Sequence, residues 1–260
     1  MIGIGANLFK VAMRLGSGFS PASLFDNGER GAWYDPSDLS SMFQSSDGTT
    51  PAVVDSPVGY IRDKSGNGHH MIQVTDADRP VLKKSDGLYY LEFDGANWGM
   101  QTGSTVNFDN TDEMNVVVGV SKEAATTQTV IESSDTAYAT NGTFRIFGNN
   151  TLWKANTRTS STGEISISKS EGVSTKVLTM INKVSTPLLQ FRVNGSAVTA
   201  VTTAQGGGNY GDKKLNLGAR ANAASKWLDG NIYGLIIRNI VPNAAELASM
   251  ESYMNDKTGV

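Results

Sequence analysis

The residues best suited to chemistry lie in the stretch Glu92-Phe93-Asp94-Gly95-Ala96-Asn97. Side chains two apart on a strand share a face, so Glu92 and Asp94 can present carboxylates to one substrate. Glycoside hydrolysis needs two such groups, one to attack or to activate water and one to protonate the leaving oxygen. The next polar position is Asn97, an amide that can do neither. Glu92 therefore reads as a solvent-facing strand residue and Asp94-Gly95 as a turn. No catalytic residue is expected, and the chain reads as a non-enzyme.

His69 and His70 are the only histidines. Adjacent strand residues point to opposite faces, so the pair is poorly placed to share a metal. No Gly-x-Ser-x-Gly elbow supports a triad built on either one. No cofactor is expected. Calcium is the one cation the residues allow, through Asp63, Asn67, Asp94 and Asp229, although Asp and Asn are common turn formers. Carbohydrate binding needs an aromatic platform beside convergent polar groups. Trp98, Trp153 and Tyr210 fall in or near expected loops, with Asn149, Asn150 and Asn209 close by in sequence. Trp153, Trp98, Tyr210, Asn149 and Asn150 are the candidate ligand-binding residues.

Many short strands would have to position these groups. Leu91 and Phe93 alternate with Tyr90 and Glu92, as do Val116, Val118 and Val120 with their neighbours. Phe144 and Ile146, then Ile165 and Ile167, continue the pattern. Leu189, Phe191 and Val193 lead into Asn194-Gly195, a two-residue hairpin signal. The polar stretches 133–143 and 152–163 read as loops. Ile232 to Arg238 reads as a buried strand. Asn243 and Glu246 then form a capping box, Leu247, Met250 and Met254 share a helical face, and Gly259 is placed to end the helix.

Gly, Ser, Thr and Asn are abundant, as turn-rich all-β chains require. The formal net charge is -3 and no basic block is present, which gives nucleic acid no electrostatic footprint. There is no cysteine, so disulfides and thiolate metal sites are excluded. No apolar run approaches the roughly 20 residues of a membrane span.

Several blocks resemble the laminin-G-like, concanavalin-A-like jelly rolls. Gly230, Ile232, Leu235, Ile236 and Ile237, then Ala244-Ala245-Glu246 and Lys257-x-Gly259, are similar to their closing strand and helix. Leu91-x-Phe93-Asp94-Gly95 is a second shared feature. Trp33-Tyr34-Asp35-Pro36, Val58-Gly59, Asp63-x-Ser65-Gly66-Asn67-Gly68 and Arg79-Pro80 resemble the members found in bacteriophage tail and appendage proteins. The likeness runs over most of residues 31–260, thinly between 100 and 185. It implies an all-β jelly-roll sandwich with a short C-terminal helix. Hydrolases on that fold carry Glu-x-Asp-x-x-Glu, and Asn97 departs from it at the third position.

Residues 1–27 differ from the rest. Leu8, Phe9, Val11 and Leu15 lie in a short helical or extended apolar segment ended by Gly16-Ser17-Gly18. It reads either as a helix packed on its own domain or as an anchor docking into a larger assembly. Lys10 and Arg14 make it a poor signal peptide. The resulting expectation is an anchoring segment at 1–27 and a jelly roll at 28–260. The resemblance implies a virion structural protein (tail fibre, tail tip or head appendage) made in the host cytoplasm and released by lysis. Its partners would be other virion proteins, further copies of itself (a trimer favoured) and a host-surface glycan. The alternatives are a carbohydrate-active enzyme on the same fold and a bacterial cell-surface lectin module.

Overall fold

The computed structural model describes residues 18–136, 138, 140–159, 163–205, 207–221 and 225–260. Among them the strands are β1 (Gly31–Tyr34), β2 (Met42–Phe43), β3 (Tyr60–Ile61), β4 (Met71–Ile72), β5 (Val81–Ser85), β6 (Leu88–Asp94), β7 (Met100–Thr102), β8 (Val106–Asn107), β9 (Glu113–Lys122), β10 (Gln128–Ser133), β11 (Thr143–Asn149), β12 (Leu152–Thr159), β13 (Gly163–Ser170), β14 (Lys176–Lys183), β15 (Leu188–Val193), β16 (Ser196–Ala197), β17 (Asp212–Lys213), β18 (Leu215–Leu217) and β19 (Asp229–Arg238), and the α-helix is α1 (Ala244–Thr258). The first sheet runs β16-β15-β14-β9-β19-β6-β5, with β1 also on β19. The second runs β13-β12-β11-β10-β18-β7-β4-β3-β2. All pairings are antiparallel, and the two sheets enclose the main core as a sandwich.

β19 is the keystone. One edge pairs with β9 along its length. The other edge is divided: Asp229 to Ile232 pair with β6, and Leu235 to Arg238 pair with β1. Its Ile232, Leu235 and Ile237 face the main core, and Ile236 faces the other way.

α1 lies on that other face. Asn243 Oδ1 accepts from the backbone N–H groups of Ala245 and Glu246 at 3.0 and 2.9 Å, and Glu246 Oε2 accepts from Asn243 N–H at 3.0 Å. The capping box and the left-handed Gly259 (φ 73°) are those the sequence predicts. Met250 and Met254 are buried with Trp33, Val117, Val177 and Ile236, whereas Leu247 keeps partial exposure. A glycine pair seats the helix. Gly119 and Gly234 are register partners, and a Cβ on Gly119 would lie 2.5 Å from Thr258 Cγ2 and 3.0 Å from Met254 Sδ. Close approach of α1 therefore requires the missing side chain. It also explains why Val117 is buried although Val116, Val118 and Val120 already fill the core face: β9 is covered on both sides.

Polar contacts clamp the helix. Glu251 Oε1 accepts from Arg192 Nε at 2.7 Å and from Thr179 Oγ1 at 3.0 Å. Asp35 Oδ2 accepts from Tyr253 Oη at 2.8 Å and Lys257 Nζ at 3.0 Å. The short 3-10 helix Pro21–Phe25 joins this layer by burying Leu24 and Phe25. The expected anchor residues Leu8, Phe9, Val11 and Leu15 lie outside the described residues.

Most of the stretch expected as a loop at 152–163 is strand. Residues 152–159 form β12, in register with β11 and β13. Its alternation is hard to read because Thr157 and Thr159 are polar yet face inward beside Trp153 and Ala155.

Candidate functional site

α1 rests on β9, β14, β19 and β6, all strands of the first sheet. The outer face of the second sheet is thus the side on which the sandwich lacks a helix. A single cross-strand row crosses that face. In register it reads Phe43, Tyr60, Ile72, Gln101, Asn216, Glu132, Arg145, Asn156 and Ser166. The neighbouring row, Met100, Leu217, Ile131, Ile146, Ala155 and Ile167, points into the core. Opposite residues of antiparallel strands share a face, so one row being apolar and buried forces the other outward.

A groove of about 470 Å³ opens over β4 and β7, beside the start of β18, lined by Ile72, Gln73, Val74, Asp78, Gln101 and Lys214 among others. From its Gln101 a chain of amides runs inward to the buried Asn216. Gln101 Nε2 donates to Asn216 Oδ1 at 2.8 Å, and Lys214 Nζ donates to Gln101 Oε1 at 3.2 Å. Asn216 in turn donates to the Ser134 carbonyl at 2.9 Å. Gln73 is fixed by donating to Gly99 O at 2.6 Å and accepting from Thr75 N–H at 3.0 Å. Asp78 Oδ1 accepts from Asn97 Nδ2 at 2.5 Å. Val74 forms an apolar lip, 72% exposed. The polar groups are held in place before any ligand arrives, which lowers the ordering cost of binding.

Beyond the groove the row becomes ionic and covered. Glu132 has no exposed surface; it accepts from Ser134 Oγ at 2.6 Å, Ala221 N–H at 3.2 Å and Arg220 Nε at 3.3 Å. Arg145 lies between the rings of Tyr138 and Phe147, 4.1 Å from each centroid, and 3.5 Å from Glu164. Burial lowers the Arg145 pKa, opposed by Tyr138 and Glu164. Burial likewise raises that of Tyr138 far above the ordinary phenol value.

The five expected ligand residues are not brought together. Trp98 sits beside the groove: its Nε1 donates to Ala77 O at 3.1 Å, next to Asp78. Trp153 belongs to β12 and is fully buried, with Lys122 Nζ 4.6 Å from its ring centroid. Tyr210 is 2% exposed, its hydroxyl accepting from Asn182 Nδ2 at 2.7 Å. Neither ring can stack on a sugar, because core atoms already occupy its faces. Asn149 and Asn150 form the β11–β12 hairpin, Asn150 with φ 51°, and the Asn150 carbonyl accepts from Lys122 Nζ at 2.7 Å. Their role there is turn formation. Burial lowers the Lys122 pKa.

The remaining chemistry-bearing residues are spent on turns. Asp94 Oδ1 accepts from the amides of Ala96, Asn97 and Trp98. Glu92 lies 3.8 Å from Lys83, on an exposed part of β6. Asp63 accepts from Trp33 N–H, Ser65 N–H, Ser65 Oγ and His69 N–H at 2.8–3.0 Å. His70 Nδ1 accepts from Asp63 N–H at 3.0 Å, and burial lowers the pKa of both histidines. Among the described residues no group of three or more His, Cys, Asp or Glu side chains is arranged to hold a metal.

Sequence reasoning missed Gln73, Gln101, Lys214 and Asn216. The only local signal was Leu215-Asn216-Leu217, whose alternation sets Asn216 opposite two core residues. Nothing local showed that Gln101 would be its neighbour.

No protein-family model matches the chain, and no curated protein matches it in sequence. Solved structures do. The botulinum neurotoxin serotype G binding domain superposes with a TM-score of 0.57 at 12% identity, over 75% of this chain and 49% of that one. The binding domain of botulinum neurotoxin DC in complex with SialylT matches with a TM-score of 0.57 at 12% identity, over 85% and 52%. The serotype D ligand-binding domain in complex with N-acetylneuraminic acid matches with a TM-score of 0.57 at 10% identity, over 84% and 52%. The chain thus spans about half the length of these domains, and the likeness establishes a shared β-sandwich fold.

Proposed function

We propose that the chain is a non-enzymatic, lectin-like module whose glycan lies in the groove over β4 and β7. The groove carries the argument. It offers two fixed amides, a carboxylate and an ammonium beside the apolar lip of Ile72 and Val74. A pyranose presents hydroxyls around its rim and C–H bonds on its faces, and that pattern of polar and apolar groups matches it. Support also comes from the fold-sharing domains, two of which are described in complex with SialylT or N-acetylneuraminic acid. The non-enzymatic part rests on carboxylates already committed elsewhere: Glu132 to three donors and Asp94 to three amides.

A glycan array followed by calorimetry on the best binder tests the reading. Gln101→Ala removes the amide that links Asn216 to Lys214, and affinity should fall by about tenfold or more, the range of one or two hydrogen bonds at a desolvated site. Unchanged binding by that variant would place the glycan elsewhere.

The module's setting is a bacteriophage virion, as a tail fibre, tail tip or head appendage. The phage-like blocks at 33–36, 58–59, 63–68 and 79–80 support this. In that setting the part of residues 1–27 that precedes the packed Pro21–Phe25 helix, with Leu8, Phe9, Val11 and Leu15, attaches the module to other virion proteins, and the copies form a homo-oligomer, a trimer favoured. Mass spectrometry of purified particles tests this, and a particle lacking the protein would refute it.

A further inference from the structure

Lys214 stands out in the groove. Its neighbour Lys213 pairs with Asp135 at 3.3 Å, whereas Lys214 Nζ donates to the neutral Gln101 Oε1. Among the described residues no carboxylate forms an ion pair with Lys214. The groove also carries both signs of charge beside its apolar lip: Asp78, held by Asn97, and Lys214, which stands with Gln101. Lys214 is half-buried and its ammonium has a neutral partner, which leaves it able to pair with a ligand anion.

We propose that the groove selects acidic glycans, with Lys214 receiving a ligand carboxylate or sulfate while Asp78 and Gln73 receive hydroxyls. The inference rests on the glycan-binding reading above and adds the ligand's charge and orientation. Lys214 is then the residue that decides specificity, and the exposed Val74 lip covers the apolar face of the same sugar unit.

The test compares lactose, 3′-sialyllactose and 3′-sulfolactose on the full chain by calorimetry. The wild type should bind both acidic sugars about tenfold more tightly than lactose, and the advantage should shrink as salt rises. The carboxylate and sulfate arms show which anion fits better. Lys214→Gln should erase the advantage by weakening the acidic sugars about tenfold more than lactose, Lys214→Arg should restore most of it, and Lys213→Gln should change nothing. Equal loss for lactose and the acidic sugars in Lys214→Gln would mean that Lys214 only props Gln101, and the inference falls. Equal affinity of the wild type for all three sugars would overturn the inference and leave the glycan reading intact. Binding of none of them would overturn both.

Discussion

Asp35→Ala tests the account of how α1 is fastened. Asp35 is 4% exposed and accepts from Ser37 N–H at 3.0 Å, Ser37 Oγ at 2.7 Å, Tyr253 Oη at 2.8 Å and Lys257 Nζ at 3.0 Å. Breaking a buried pair by removing one partner costs about 3–5 kcal/mol. The side chain of Lys257 keeps 21% exposure and can turn to water, which places the expected loss near the lower end, about 3 kcal/mol. For a chain of this size that corresponds to a fall of about 6–12 °C in Tm. Chemical denaturation followed by tryptophan fluorescence reads it, since Trp33 packs edge-on to Tyr253 with centroids 6.2 Å apart. The pH dependence has a definite sign. Burial alone would raise the Asp35 carboxyl, but Ser37, Lys257 and Tyr253 outweigh it and hold its pKa below the ordinary value. A depressed folded-state pKa gives stability that is present above the unfolded carboxylate value, about 3.9, and is lost as pH falls through the folded value. The gap between wild type and Asp35→Ala should hold from pH 8 to 5 and close in acid. A gap under about 0.5 kcal/mol at pH 7, or one that closes as pH rises, would refute the reasoning.

Two further stability changes follow from the same layer. Asn243→Ala removes the acceptor for two helix N–H groups and should cost about 1 kcal/mol, read as a lower denaturation midpoint with unchanged slope. Gly119→Ala places a methyl 2.5 Å from Thr258 and 3.0 Å from Met254; it should cost about 1–3 kcal/mol, with faster hydrogen exchange in α1. Among binding changes, Gln101→Ala should weaken neutral and acidic glycans alike, whereas Lys214→Gln should weaken acidic glycans far more than neutral ones.

Local patterns carried much of the fold. Asn243, Glu246 and Gly259 marked both ends of α1 because caps are satisfied within a few residues. Asn194-Gly195, with φ of 49° and 74°, is the β15–β16 turn its dipeptide predicts. Asp63 organises its own turn for the same reason: the groups it binds include Ser65 and His69, close in sequence. The candidate platform failed where polarity misled. A Trp beside Asn149 and Asn150 suggests a loop, yet Trp153 is in register with Gly148 and Lys169 and fills the core.

What the sequence alone determined was an all-β chain of alternating strands closed by a buried strand and a capped helix. Only the tertiary structure decided which face of the sandwich that helix covers, and therefore which face stays available to a ligand. It also decided the groove, where Gln101 meets Asn216 across 115 residues of chain. Periodicity reports whether a side chain points in or out. It carries no information on which distant strand lies alongside, because that is set by packing of the whole sheet.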